Sequence, residues 1–217
     1  STGFTKANTM GAGNDTVTYG GAASTTAGSV GSMAAGEGTD TIVMTDAQAA
    51  AADGSSAFNT AFTGFEVLNV SDTFIEDALD LDGINAVAKV ILAAGVTGTA
   101  AMSNLANNGT VQINADGATT PALTIGVKSA VANASDVLNL TLSKTGGVLA
   151  AGSVTAANVE TINIATPDAA VAPALGSAAA IHTLTLVAAG ATTVTVAGNN
   201  GLTLTNTGNA AITTFNA

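Results

Sequence analysis

Two short stretches hold a carboxylate between turn-forming residues in the same way: Met10-Gly11-Ala12-Gly13-Asn14-Asp15-Thr16-Val17-Thr18 and Ala35-Gly36-Glu37-Gly38-Thr39-Asp40-Thr41-Ile42-Val43. Each reads x-G-x-G-x-D-x-U-x, with U aliphatic. Glycines at the second and fourth places let the backbone turn tightly and aim carbonyl oxygens inward, while the Asp at the sixth place adds a hard carboxylate. The aliphatic eighth residue opens a short strand that faces a core. Hard oxygens of this kind suit a hard cation, and the candidate ligating set is Gly11, Gly13, Asn14, Asp15, Gly36, Gly38, Thr39 and Asp40.

The pattern resembles the calcium-binding nonapeptide G-G-x-G-x-D-x-U-x of repeats-in-toxin proteins, with Met10 and Ala35 in place of the first glycine. Ca²⁺ takes six to eight oxygens, so one loop cannot complete a site and stacked loops must share the ion. In an uninterrupted roll, loops on one edge recur after about 18 residues. The two Asp are further apart, so sharing requires Tyr19 to Ala34 to carry an excursion of about seven residues on that repeat. The competing reading is a pair of plain turns, each with a capping Asp.

The elements that must position these loops are short. The 217 residues include 47 Ala, 34 Thr, 25 Gly and 18 Asn, with no Cys, Trp or Arg, and so few large side chains cannot fill a thick core. A narrow interior made by stacking strand on strand suits such a composition. Period-two pairs occur at Val67/Asn69, Val111/Ile113, Leu123/Ile125, Leu138/Leu140/Leu142, Ile162/Ile164, Leu184/Leu186, Val194/Val196 and Leu202/Leu204. From Leu184 the rungs start at 184, 194, 202 and 212, a spacing that suits a parallel β-helix or a tightly wound sandwich. The expected fold is therefore all-β: a stacked short-strand solenoid, either parallel β-helix/β-roll or a flattened, sandwich-like solenoid. Thr45 to Phe65 breaks the strand pattern, and its Ala run and spaced Phe58, Phe62 and Phe65 predict a short helical excursion near 46–63.

Within the ladder, Glu66-Val67-Leu68-Asn69-Val70, Asp136-Val137-Leu138-Asn139-Leu140 and Glu160-Thr161-Ile162-Asn163-Ile164 share acid-x-aliphatic-Asn-aliphatic; Asp77-Ala78-Leu79-Asp80-Leu81 is a looser copy. Asn is disfavoured in a strand unless its amide is bonded, so a ladder of stacked Asn is expected. The acid three places earlier is expected to cap a turn or to add an oxygen to a cation site.

Charge divides the chain. Residues 1–82 hold 11 of the 15 acids and one cation, Lys6, whereas residues 83–217 hold four acids and three Lys. The expected organisation is an acidic, calcium-binding, roll-like segment over 1–82 with its surface excursion and a solenoid ladder over 83–217, joined in one body. Four Lys and no Arg cannot form the basic face that nucleic acid needs. Apolar runs such as Ala86 to Val96 are too short and too interrupted for a helical membrane span. The stretch opens at Ser1 without a leader and ends in strand-like sequence, so a fragment of a longer protein is expected.

Enzyme readings fit poorly. The single His182 has no Cys or second His to share a metal, and a polar rung residue is the simpler role. A carbohydrate-active β-helix would need aromatic or basic sugar contacts, and the chain has one Tyr, no Trp and no Arg.

The loops together with Gly64-Phe-Glu-Val-Leu-Asn-Val70, Ser135-Asp-Val-Leu-Asn-Leu-Thr-Leu142, Asn158-Val-Glu-Thr-Ile-Asn-Ile-Ala165 and Gly201-Leu-Thr-Leu-Thr-Asn-Thr-Gly-Asn209 resemble the C-terminal half of the Caulobacter-type S-layer protein family, in the same order along nearly the whole chain. The resemblance implies type I secretion, folding outside the cell on Ca²⁺, and self-assembly into a two-dimensional lattice on the bacterial surface. The implied partners are further copies of the chain and calcium, with other regions of the parent chain contacting outer-membrane polysaccharide. The alternative is a calcium-stiffened repeat module of a secreted adhesin or toxin.

Overall fold

The computed structural model describes residues 6–20, 31–116, 122–167 and 180–217. Almost every element is a short strand, and the chain lays successive strands alternately on two faces. One face carries a nine-stranded sheet made of β2 (Thr16–Thr18), β4 (Thr41–Met44), β6 (Val67–Val70), β8 (Lys89–Leu92), β10 (Gly109–Ile113), β12 (Val137–Leu142), β14 (Thr161–Thr166), β16 (Thr193–Gly198) and β18 (Thr214–Asn216). The other face is split in two. Strands β1 (Asn8–Thr9), β3 (Met33–Ala34) and β5 (Phe62–Thr63) form a small sheet. Strands β7 (Leu79–Asp80), β9 (Thr99–Leu105), β11 (Ala122–Val127), β13 (Ala150–Thr155), β15 (Ile181–Val187) and β17 (Gly201–Asn206) form the larger one. Every pairing is parallel and joins strands two apart in the chain. A stacked parallel solenoid is the only winding that produces this order, and the fold is the all-β one expected.

Each coil therefore contains two strands. The shortest steps in the nine-stranded sheet, Lys89 to Thr110 and Thr193 to Thr214, are 21 residues, and the longest, Asn163 to Thr195, is 32. The spacing of 8 to 10 near the C-terminus consequently counts half-coils: β15 and β17 pair with one another, β16 and β18 pair on the opposite face, and Ile212 lies outside any strand.

One aliphatic column runs through the nine-stranded sheet. Val17, Ile42, Leu68, Val90, Val111, Leu140, Ile164 and Val196 are in register, and all but the half-buried Val196 are buried. Period-two burial in the strands makes this possible, as in β12, where Leu138, Leu140 and Leu142 point inward. The parity expected for β6 is corrected: Leu68 and Val70 are its core pair, and Asn69 is only half-buried. Val67 is nevertheless covered as well, which hid the alternation.

The helical excursion consists of α1 (Asp46–Asp53) and α2 (Ser56–Ala61). Thr45 caps α1 with a full capping box: its Oγ1 accepts from the Gln48 amide while Gln48 Oε1 accepts from the Thr45 amide. The helices deliver Phe58, and β5 delivers Phe62, onto Tyr19 of the first coil. Phe58 and Phe62 stack at 4.9 Å, and Tyr19 meets both edge-on at 5.7 and 5.3 Å. Neither helix, nor any other among the described residues, is long and apolar enough to cross a membrane.

Candidate metal centre

The two glycine-framed loops lie at one corner of the solenoid, just ahead of β2 and β4, and they stack. Backbone pairing starts at Met10 N–H to Ala34 O (2.9 Å), continues through a parallel bridge between Ala12 and Glu37 and the Gly13 N–H to Glu37 O bond (2.7 Å), and ends with Thr41 N–H to Asp15 O (2.8 Å). Gly11 thus faces Gly36, Gly13 faces Gly38, Asn14 faces Thr39 and Asp15 faces Asp40. The stacking that a shared ion needs is present at the 25-residue step, although residues 21–30 of the connecting excursion lie outside the described residues.

Glycine is needed here for space as well as for backbone freedom. Gly36 and Gly38 have φ of +106° and +141°, and a Cβ on either would sit 2.3 Å from Gly11 O or 2.1 Å from Gly13 O. The carbonyl oxygens of the first loop are thus packed against the glycines of the second. Gly13 is also left-handed, at φ +127°, but a Cβ there would meet open space.

Side chains brace the same stack. Asn14 Oδ1 accepts from the Thr39 amide at 2.9 Å, so these two candidate ligands are joined to each other. Asp40 Oδ1 accepts from the Asp15 amide at 2.8 Å, and Glu66 Oε2, one coil further on, accepts from the Asp40 amide at 2.8 Å. Three acids therefore rise through successive coils, and Asp40 and Glu66 each hold the amide of the acid before them. Asp40 is wholly buried and its second oxygen, Oδ2, has no hydrogen-bond partner. A buried carboxylate oxygen without donor or counter-charge is costly, and a cation at the corner would remove that cost. Asp15, Asp40 and Glu66 carry oxygens of the hard type calcium takes, although among the described residues no three acidic or imidazole side chains converge as they would around a bound ion.

Reading the sequence linked Asp15 to Asp40 but left Glu66 among the Asn repeats. The signal that could have added it is Gly64: Gly64-Phe65-Glu66 repeats the spacing from Gly38 to Asp40, and Gly64 has φ +78° and packs on Ala35 and Gly36.

The Asn ladder forms in part. Asn163 Nδ2 donates to Asn139 Oδ1 at 3.0 Å, and Asn139 Nδ2 donates to Asn108 O at 2.8 Å. Asn69 does not join it, because the neighbouring coils present Val43 and Ile91 at its register; its Oδ1 is buried without a partner. Two of the three motif acids bond across coils: Glu66 holds Asp40, and Glu160 Oε2 holds the Asp136 amide at 2.8 Å, whereas the Asp136 carboxylate does not.

His182 is buried in β15, where Nδ1 accepts from the Leu149 amide at 3.0 Å. Burial pushes its pKa down and the charge of Lys144 adds to this, against a smaller opposite pull from Asp116. Burial works to raise the Asp116 pKa, but bonds from Lys144 and the Ala150 amide outweigh it and hold the carboxyl low. His182 is a buried brace between coils, with the solvent-facing Asp116–Lys144 pair beside it. No protein-family model matches the chain, and neither does any curated protein.

Proposed function

We propose that this chain is a calcium-binding structural segment of a bacterial surface layer, a secreted protein that folds on Ca²⁺ and assembles with further copies of itself into a two-dimensional lattice. The observation that carries the calcium part is the stacked loop pair ending in Asp40, whose buried Oδ2 has no donor. The surface-layer part rests on the sequence resemblance of the Glu66 and Glu160 strands and on an Ala- and Thr-rich, Cys-free composition suited to a narrow stacked interior. The mechanism is linkage: an ion bound only by the folded stack adds RT ln(1 + [Ca]/Kd), about 2.7 kcal/mol when calcium is 100 times Kd. Extracellular calcium would then couple folding and assembly to arrival outside the cell.

A second use of the same body is a calcium-stiffened spacer in a secreted adhesin or toxin, favoured by a parallel ladder that runs unbroken from β2 to β18. Electron microscopy of the purified protein with and without calcium separates the two. Ordered sheets that disappear in chelator support the lattice, whereas isolated rods support the spacer.

A further inference from the structure

We propose that the chain holds a second divalent-cation site, independent of the glycine-framed loops, at the corner where Asp136 and Glu160 lead into β12 and β14. Asp136 is wholly buried, and its Oδ2 has no hydrogen-bond partner; Oδ1 has only the amide of Asn133 near it, at 3.5 Å. Glu160 is one coil on and in register, since Val137 pairs with Thr161, and its Oε2 accepts from the Asp136 amide at 2.8 Å. No lysine neutralises the pair: the two ion pairs among the described residues use Lys128 with Asp82 and Lys144 with Asp116. The same arrangement occurs at Asp40 and Glu66, where a buried Asp also donates its amide to the Glu of the next coil and also leaves Oδ2 without a donor. These are the two carboxylate oxygens among the described residues that are buried without a partner. Both sit on the core-facing side of a strand entrance, Asp40 two places before Ile42 and Asp136 two places before Leu138. The residues before Asp136, Ala132-Asn133-Ala134-Ser135, contain no glycine, so no nonapeptide marks the place. The Asp136 and Glu160 carboxylates provide hard oxygens alone, which selects a hard ion of flexible coordination, calcium in preference to zinc or copper.

The test counts ions on the whole 217-residue chain by equilibrium dialysis with radioactive calcium. Glu160→Gln keeps size and shape while removing a charge, and it should lower the bound calcium by one ion per chain; Asp136→Asn should do the same. In Asp15→Asn/Asp40→Asn, which removes the loop carboxylates, one ion should remain, and adding Glu160→Gln should remove it. A count unchanged by Glu160→Gln in a folded protein overturns the proposal, whatever the loops bind. A loop variant that keeps its ion leaves this site standing and refutes only the loop reading. If Asp136→Asn unfolds, the carboxyl ¹³C shift of Asp136 in the wild-type chain decides: it should move on adding calcium, and a shift indifferent to calcium would contradict the site.

Discussion

At the scale of single residues, buried polar groups carry the strongest consequences. Asp40 is bound on one oxygen and bare on the other, so replacing it separates ion binding from bracing. Asp40→Asn should weaken calcium binding by at least tenfold in a calorimetric titration, and Asp15→Asn should weaken it as well; wild-type affinity in the double variant would move the ion elsewhere. Gly38→Ala forces a Cβ against Gly13 O at a left-handed φ, and urea unfolding in calcium should show a loss of about 2 kcal/mol. Gly13→Ala keeps only the backbone strain and should lose less. His182 gives a pH prediction of definite sign. Its pKa is lowered in the folded state below the ordinary 6.5, so its contribution to stability is complete above that value and is lost as pH falls below it toward the folded value. The protonated ring could no longer accept from the Leu149 amide. Unfolding midpoints should therefore fall from pH 7 to pH 5 in the wild type, and His182→Gln should flatten that slope.

At the scale of elements, the alternation of strand and corner explains what the sequence showed and what it hid. The U position of the nonapeptides, Val17 and Ile42, opens the aliphatic column that continues to Val196, so the loop motif and the ladder are one pattern. The helical excursion was legible because an Ala run and three Phe near helical spacing break the strand pattern; the capping box of Thr45 and Gln48 that starts it was not read from the sequence. Phe58→Ala removes one face of the Tyr19–Phe58–Phe62 cluster and should cost about 3–5 kcal/mol. The coil length was not legible, since periodicity cannot say whether successive strands share a sheet; strands 8 to 10 residues apart proved to alternate faces. Asn69 was misread for a related reason. Its motif matches that of Asn139 and Asn163, but a ladder depends on the neighbouring coil, which presents Ile91 there. Glu66 and Glu160 read as turn caps or cation oxygens, but that each holds the amide of an acid one coil back was not legible, because bonds between coils have no signature within one coil. Asn163→Ala breaks the Asn163–Asn139 bond and should lower stability by about 1 kcal/mol.

At the scale of the whole molecule, the charge and the thin core bear on one another. Many of the acids crowd the first coils, where Asp15, Asp40 and Glu66 stand on successive coils, and like charges stacked in this way oppose folding unless a cation lies among them. A core made largely of Ala, Val and Leu leaves little surplus stability to absorb that repulsion. Calcium is thus the account's central requirement. The direct measurement is far-ultraviolet circular dichroism of the whole chain, stripped with chelator and then titrated with calcium, together with sedimentation velocity at both ends of the titration. The account predicts a weak β signal and a slowly sedimenting monomer in chelator, with the β signal rising to a plateau and larger species forming as calcium is restored. Identical spectra and identical sedimentation in chelator and in millimolar calcium would contradict it.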